Sequence, residues 1–134
     1  MRADGQGAAR EVDLNFTQAE VSCKCGCGFT LQPDFLQRVQ RLRDVVGFAL
    51  PVSSGGRCPA HNAKVSSTGA NGPHTTGRAI DLAVSRLQAL LVIAAALKLG
   101  FTGIGVQQKG DKRFVHLDDL PNAPGQPRPT IWSY

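Results

Sequence analysis

Three residues of this chain stand where they could share one metal ion: His74, Asp81 and His116. His74 and Asp81 are seven positions apart in the segment HTTGRAID, with Gly77 between them. That spacing lets a loop carrying His74 fold back while Asp81 projects from the strand that follows. His116 lies in FVHLD, a segment patterned as a strand that can pair alongside. Two neutral imidazoles and one carboxylate suit zinc and leave a fourth coordination position for water, as a catalytic rather than a structural site requires. Zinc in such a site activates water and polarises a carbonyl. Spacing alone does not decide the matter, because two ligands and a distant third also fit surface or core residues.

Four cysteines raise a separate question. Cys23, Cys25 and Cys27 lie in SCKCGCG, residues 22–28, and Cys58 follows much later. A structural zinc held by all four is conceivable, but C-x-C-x-C is tighter than the spacer of roughly two to four residues usual for zinc ligands. The expectation is that Cys58 lies near the cluster, either as buried thiols or with one disulfide formed in an oxidising space. His61 is expected to face solvent from a loop.

The elements that must position these residues are legible from pattern. A short helical entry or turn is expected over residues 15–20. Pro33 opens a helix whose stripe comprises Phe35, Leu36, Val39, Leu42, Val45 and Val46, with Gly47 as its stop. Residues 50–53 suggest a short strand. A long polar loop is expected over residues 57–77, of a length that inside a compact domain is usually functional or disordered. Residues 78–84, RAIDLAV, predict a buried strand, and residues 87–99 an apolar helix ended by Gly100. Residues 101–106 and 114–117 predict a hairpin with QQKGDKR as its turn. The expected fold is α+β: a small antiparallel sheet carrying the site, two main helices packed on it, and long loops. Residues 1–12 read as a flexible tail and residues 13–134 as one domain.

With 134 residues, 42% hydrophobic and 19% charged, the chain suits a single globular domain and not a disordered one. The net charge of +5 favours polyanionic partners. No run of Lys or Arg exceeds two residues and only 6% of residues are aromatic, so a nucleic-acid surface is not expected. The longest apolar stretch, about a dozen residues, is too short to span a bilayer. The N-terminal segment has no continuous apolar core, which predicts synthesis in the cytoplasm without a signal peptide.

The segments SGGRCPAHN, PHTTGRAIDL and GIGV…RFVHLD together resemble the zinc D-alanyl-D-alanine carboxypeptidase family. That family includes vancomycin-resistance peptidases and many phage endolysins, with the hedgehog signalling domain as a distant relative. The C-x-C-G-C-G segment at residues 23–28 is similar to the opening of one subgroup. The resemblance implies that His74, Asp81 and His116 are the zinc ligands. It implies that Arg57 binds a substrate carboxylate or polarises the peptide carbonyl, a task suited to its planar fork. The implied substrate is a peptide of bacterial peptidoglycan, cut in the cell wall or periplasm after release, or by a phage particle.

Two departures from that family matter. Gly72 stands where relatives usually carry Ser. Arg113 and Phe114 stand where relatives often carry the Asp, Glu or His that serves as general base. Asp111, in the preceding turn, and Asp118, on the strand face of His116, are the nearest carboxylates. Asp118 equally suits a partner that orients an imidazole. A non-catalytic relative serving as a wall-binding or structural module is the alternative function.

Overall fold

In the computed structural model, which describes residues 15–134, the first helix is set by a capping box. The expected tail over residues 1–12 lies outside the described residues. Helix α1 (Gln18–Val21) is a single turn capped by Thr17. The Thr17 hydroxyl accepts from the Glu20 amide at 3.2 Å, and the Glu20 carboxylate accepts from the Thr17 amide at 2.7 Å. Two otherwise unpaired amides are thereby satisfied and Val21 is delivered to the core.

Helix α2 (Pro33–Val46) starts with Pro at its first turn and stops at Gly47, whose left-handed φ of 78° closes the C-terminus. Phe35, Leu36, Val39 and Leu42 are buried as the stripe predicts. Val45 is not: it is 63% exposed. At about 100° per residue, position 45 is carried off the line that positions 35, 39, 42 and 46 share.

Five strands form one sheet in the order β1-β2-β4-β3-β5: β1 (Val52–Ser54), β2 (Ala79–Leu82), β3 (Gly103–Gln107), β4 (Phe114–Asp118) and β5 (Thr130–Ser133). The sheet is mixed, where an antiparallel one was expected. Residues 130–133, for which no strand was expected, run parallel to β3 as the fifth strand. The long polar loop is also more regular than composition suggested. It contains helix α3 (Pro59–Val65) and two 3-10 turns, Gly69–Asn71 and Pro73–Thr76. Pro59 at the first helical turn and Cys58 as N-cap explain why a helix starts there.

The two-residue period of the strands divides their side chains between two jobs. Ile80, Leu82, Ile104, Val115 and Leu117 enter the core, with Phe35 of α2 and Val92 of helix α4 (Arg86–Lys98) among its members. The opposite face carries polar groups. In register across the sheet, Ser54 pairs with Asp81, Asp81 with His116, His116 with Gly105, and Gly105 with Trp132. One row of five residues thus spans the sheet, and two proposed ligands are adjacent within it. Arg78 anchors the start of β2, donating pairs of hydrogen bonds to Asp34 of α2 and to Asp119 after β4 at 2.8–2.9 Å.

Candidate metal centre

His74 reaches the sheet from the second 3-10 turn because Gly77 reverses the chain just before β2. Gly77 adopts a φ of 74°, and a Cβ there would meet the Thr30 carbonyl oxygen at 3.1 Å. The turn is also tied down by backbone bonds. The Arg57 amide donates to the His74 carbonyl at 3.0 Å, and the Gln32 amide to the Gly77 carbonyl at 2.8 Å.

The ligand atoms of His74, Asp81 and His116 all lie within 4.8 Å of one another, and all three residues are buried. Each imidazole is pinned from outside. His74 Nδ1 lies 2.7 Å from the Gly55 carbonyl oxygen, so it must carry the proton and donate. Its Nε2 then faces inward, 3.2 Å from Asp81 Oδ1. His116 Nε2 lies 2.8 Å from Asp118 Oδ2, and its Nδ1 faces inward, 3.0 Å from the same Asp81 oxygen. Two inward nitrogens and a carboxylate oxygen converge, and both outer nitrogens are committed to acceptors. That is the arrangement a zinc ion needs, and these residues fit it. Burial works against the charge of Asp81, but its contacts with His116 and His74 outweigh it and hold the carboxyl well below the usual range. Burial likewise disfavours charge on His116, yet the Asp118 and Asp81 carboxylates raise its pKa.

Asp118 is fully buried behind His116. Arg128 grips it with two further bonds, Nε to Oδ1 at 2.9 Å and Nη2 to Oδ2 at 2.8 Å. Burial alone would raise the Asp118 pKa, but His116 and Arg128 bring it down to about 2. Both oxygens are occupied and neither is accessible, which matches the orienting role rather than that of a proton acceptor for substrate. Asp111 is elsewhere: it is exposed, in the turn before β4, on the wall of the open cavity above the ligands.

That cavity measures about 1120 Å³, with His74, Asp81 and His116 in its lining. Arg57 also lines it, largely buried, with Nη2 4.0 Å from Asp81 Oδ2. The contact is too long for a hydrogen bond, and Arg57 Nε has no acceptor among the described residues. The guanidinium is therefore not consumed by a loop salt bridge. Three wall residues were not foreseen from sequence: Arg128, Trp132 and Tyr134. The Trp132 ring packs 5.0 Å from that of His116 and under the Arg128 guanidinium at 5.2 Å. Tyr134 is 55% exposed overall, and partial burial at the cavity wall raises its pKa. The alternating segment TIWSY, bounded by Pro129, was the available strand signal.

The expectations for the cysteines divide. Cys58 does lie beside Cys23 and Cys25, but only Cys23 is buried; Cys25 and Cys27 are exposed, and all four are free thiols. His61 is half-exposed on α3 rather than in a loop.

No curated protein matches the chain. The family model described as peptidase M15 matches residues 13–118, which include all three candidate ligands but end before Arg128 and β5. Peptidases of this family depend on zinc, and His74, Asp81 and His116 form a group that could bind it. On the match and the geometry together, the chain belongs to the peptidase M15 family.

Proposed function

We propose that this zinc peptidase hydrolyses peptide bonds in the stem peptides or cross-links of bacterial peptidoglycan, as a phage-type lytic enzyme. It would act in the cell wall or periplasm after release, or from a phage particle. The observation that carries this reading is the cavity itself. It is open, its lining includes a three-ligand group, and Arg57, Lys112 and Arg113 are among its wall residues. Cationic walls suit a peptide rich in carboxylates, as stem peptides are.

When bound, zinc supplies activation of water and polarisation of the scissile carbonyl. The protein's own groups do the rest. Gly55 and Asp118 hold the two imidazoles with their lone pairs inward. Arg57 presents its free donors to a substrate carboxylate or carbonyl oxygen. Asp111 is the carboxylate left for proton transfer, and it reaches the reacting atoms only if the turn over residues 108–113 folds inward.

One observation favours the non-catalytic reading. Asp118 is spent on His116 and Arg128, and Arg113 and Phe114 occupy the positions where similar peptidases carry an acid or His. Digestion of purified peptidoglycan separates the two readings. Peptide fragments identified by mass, abolished by chelator and restored by zinc, support the enzyme. A zinc-loaded protein that releases nothing from any wall substrate supports the binding module.

A further inference from the structure

Away from the cavity, the four cysteines converge on one point. Cys23, Cys25, Cys27 and Cys58 place all their sulfur atoms within 4.8 Å of one another. The Cys23–Cys25, Cys25–Cys58 and Cys23–Cys58 separations are 3.4, 3.6 and 3.8 Å. Four sulfurs around a zinc ion at the usual bond length define a tetrahedron with edges of about 3.8 Å, so the observed spacings are near those of a preformed cage. A disulfide would single out one pair and draw it to about half that distance, leaving two thiols unused. The near-equal spacings single out none.

The backbone around the cluster suits charged sulfur. The Cys58 amide donates to Cys23 Sγ at 3.4 Å, and the His61 amide donates to Cys58 Sγ at 3.4 Å. The close C-x-C-x-C spacing is accommodated by a tight reversal. The Gly26 amide donates to the Cys23 carbonyl at 3.2 Å, and the Cys23 amide to the Phe29 carbonyl at 2.7 Å. Gly26 and Gly28 take φ values of 83° and 90°. A reversal of this kind turns three sulfurs towards one point, which a regular strand would send to alternate faces.

We infer that Cys23, Cys25, Cys27 and Cys58 form a second, structural metal site, separate from the peptidase centre, that takes one Zn2+ as a tetrathiolate. The four thiols lose their protons on binding, and no redox step is involved. The site clamps residues 22–28 to residues 55–58. That second segment supplies the Gly55 carbonyl that holds His74 and the guanidinium of Arg57, while the Gly56 amide bonds to the Val21 carbonyl at 2.8 Å. The clamp therefore braces one wall of the cavity without touching substrate.

Metal content measured on the reduced full chain tests this without reference to activity. The wild type is expected to bind two zinc ions, His74→Ala one and Cys25→Ser one. Replacing zinc with Co2+ should give an intense sulfur-to-metal charge-transfer band, which a site of two His and one Asp cannot produce. The band should survive His74→Ala and vanish in Cys25→Ser. Should that variant not fold, thiol labelling of the wild type decides. Four thiols protected with zinc and reactive after chelation support the site. One zinc per wild-type chain with four freely reactive thiols overturns it, as does a mass two hydrogens lower that marks a disulfide. Loss of lytic activity with both zinc ions retained would count against the proposed substrate and leave this site standing.

Discussion

Asp118 accepts a hydrogen bond from His116 Nε2 at 2.8 Å from two residues further along the same strand. Because Arg128 holds that carboxylate ionised and in place, it acts on the imidazole and not on the cavity. Asp118→Asn should therefore weaken zinc binding by roughly 10–100-fold, the scale for loss of such a partner. A general base would behave differently. Zinc affinity would hold while turnover fell by on the order of 10²-fold or more, and that is the result expected of Asp111→Asn if Asp111 relays the proton. Zinc titration and turnover measured on both variants separate the roles.

His74→Ala and His116→Ala should each lose the zinc of the peptidase centre together with hydrolysis. The remaining ligands are held by β2, β4 and the turn before Gly77, so they cannot close around the missing bond. Metal analysis of the purified variants checks this, and full zinc in both would remove the residues from the ligand set.

Arg57→Lys keeps the charge and loses the planar fork. Because the Arg57 guanidinium makes only a 4.0 Å contact to Asp81 and its Nε has no acceptor among the described residues, folding should change little. Turnover on wall peptides should fall by about tenfold or more, the equivalent of one charge-assisted hydrogen bond. Kinetics unchanged within error, with a lowered melting temperature, would make Arg57 a structural residue.

Gly103 pairs with Asp118 across the β3–β4 ladder, and a Cβ there would collide with the Asp118 carboxylate. Gly103→Ala should therefore displace Asp118 from His116, lowering zinc affinity in the direction of Asp118→Asn. Stability should fall by about 1–3 kcal/mol, the usual cost of overpacking. Thermal melts with and without zinc measure both effects, and unchanged zinc affinity would break the link drawn here between Gly103 and the metal site.

The residues legible in the sequence were those that act through local pattern. His74 and Asp81 are read from one short segment, and the two-residue strand period by itself puts Asp118 on the face of His116. Helices α2 and α4 followed from stripes, caps and length. What was not legible depends on long-range pairing. Arg128, Trp132 and Tyr134 reach the cavity only because β5 adds in parallel to β3, and no local signal specifies that partner. Helix α3 was hidden by the polar composition around it, although Pro59 was a usable start signal. The cysteine spacing argued against a cage because ligand rules presume ordinary loops, and two glycines with positive φ make this loop tighter.

The position of β5 also bears on whether molecules of this protein stay apart. Both outer strands of the sheet are poor templates for a neighbour: β1 has three residues with a register break, and β5 has four residues preceded by Pro129. β3 is different. Its five residues, GIGVQ, carry no charge and include two β-branched side chains, the composition of a strand that invites pairing between chains. Ending the chain at Pro129 would keep Arg128 but uncover that row of amides and carbonyls. Such a shortened protein should associate more readily as its concentration rises than the chain that keeps β5, and light scattering would follow it. Residues 130–134 then serve two ends at once, finishing a wall of the cavity and covering the edge of β3.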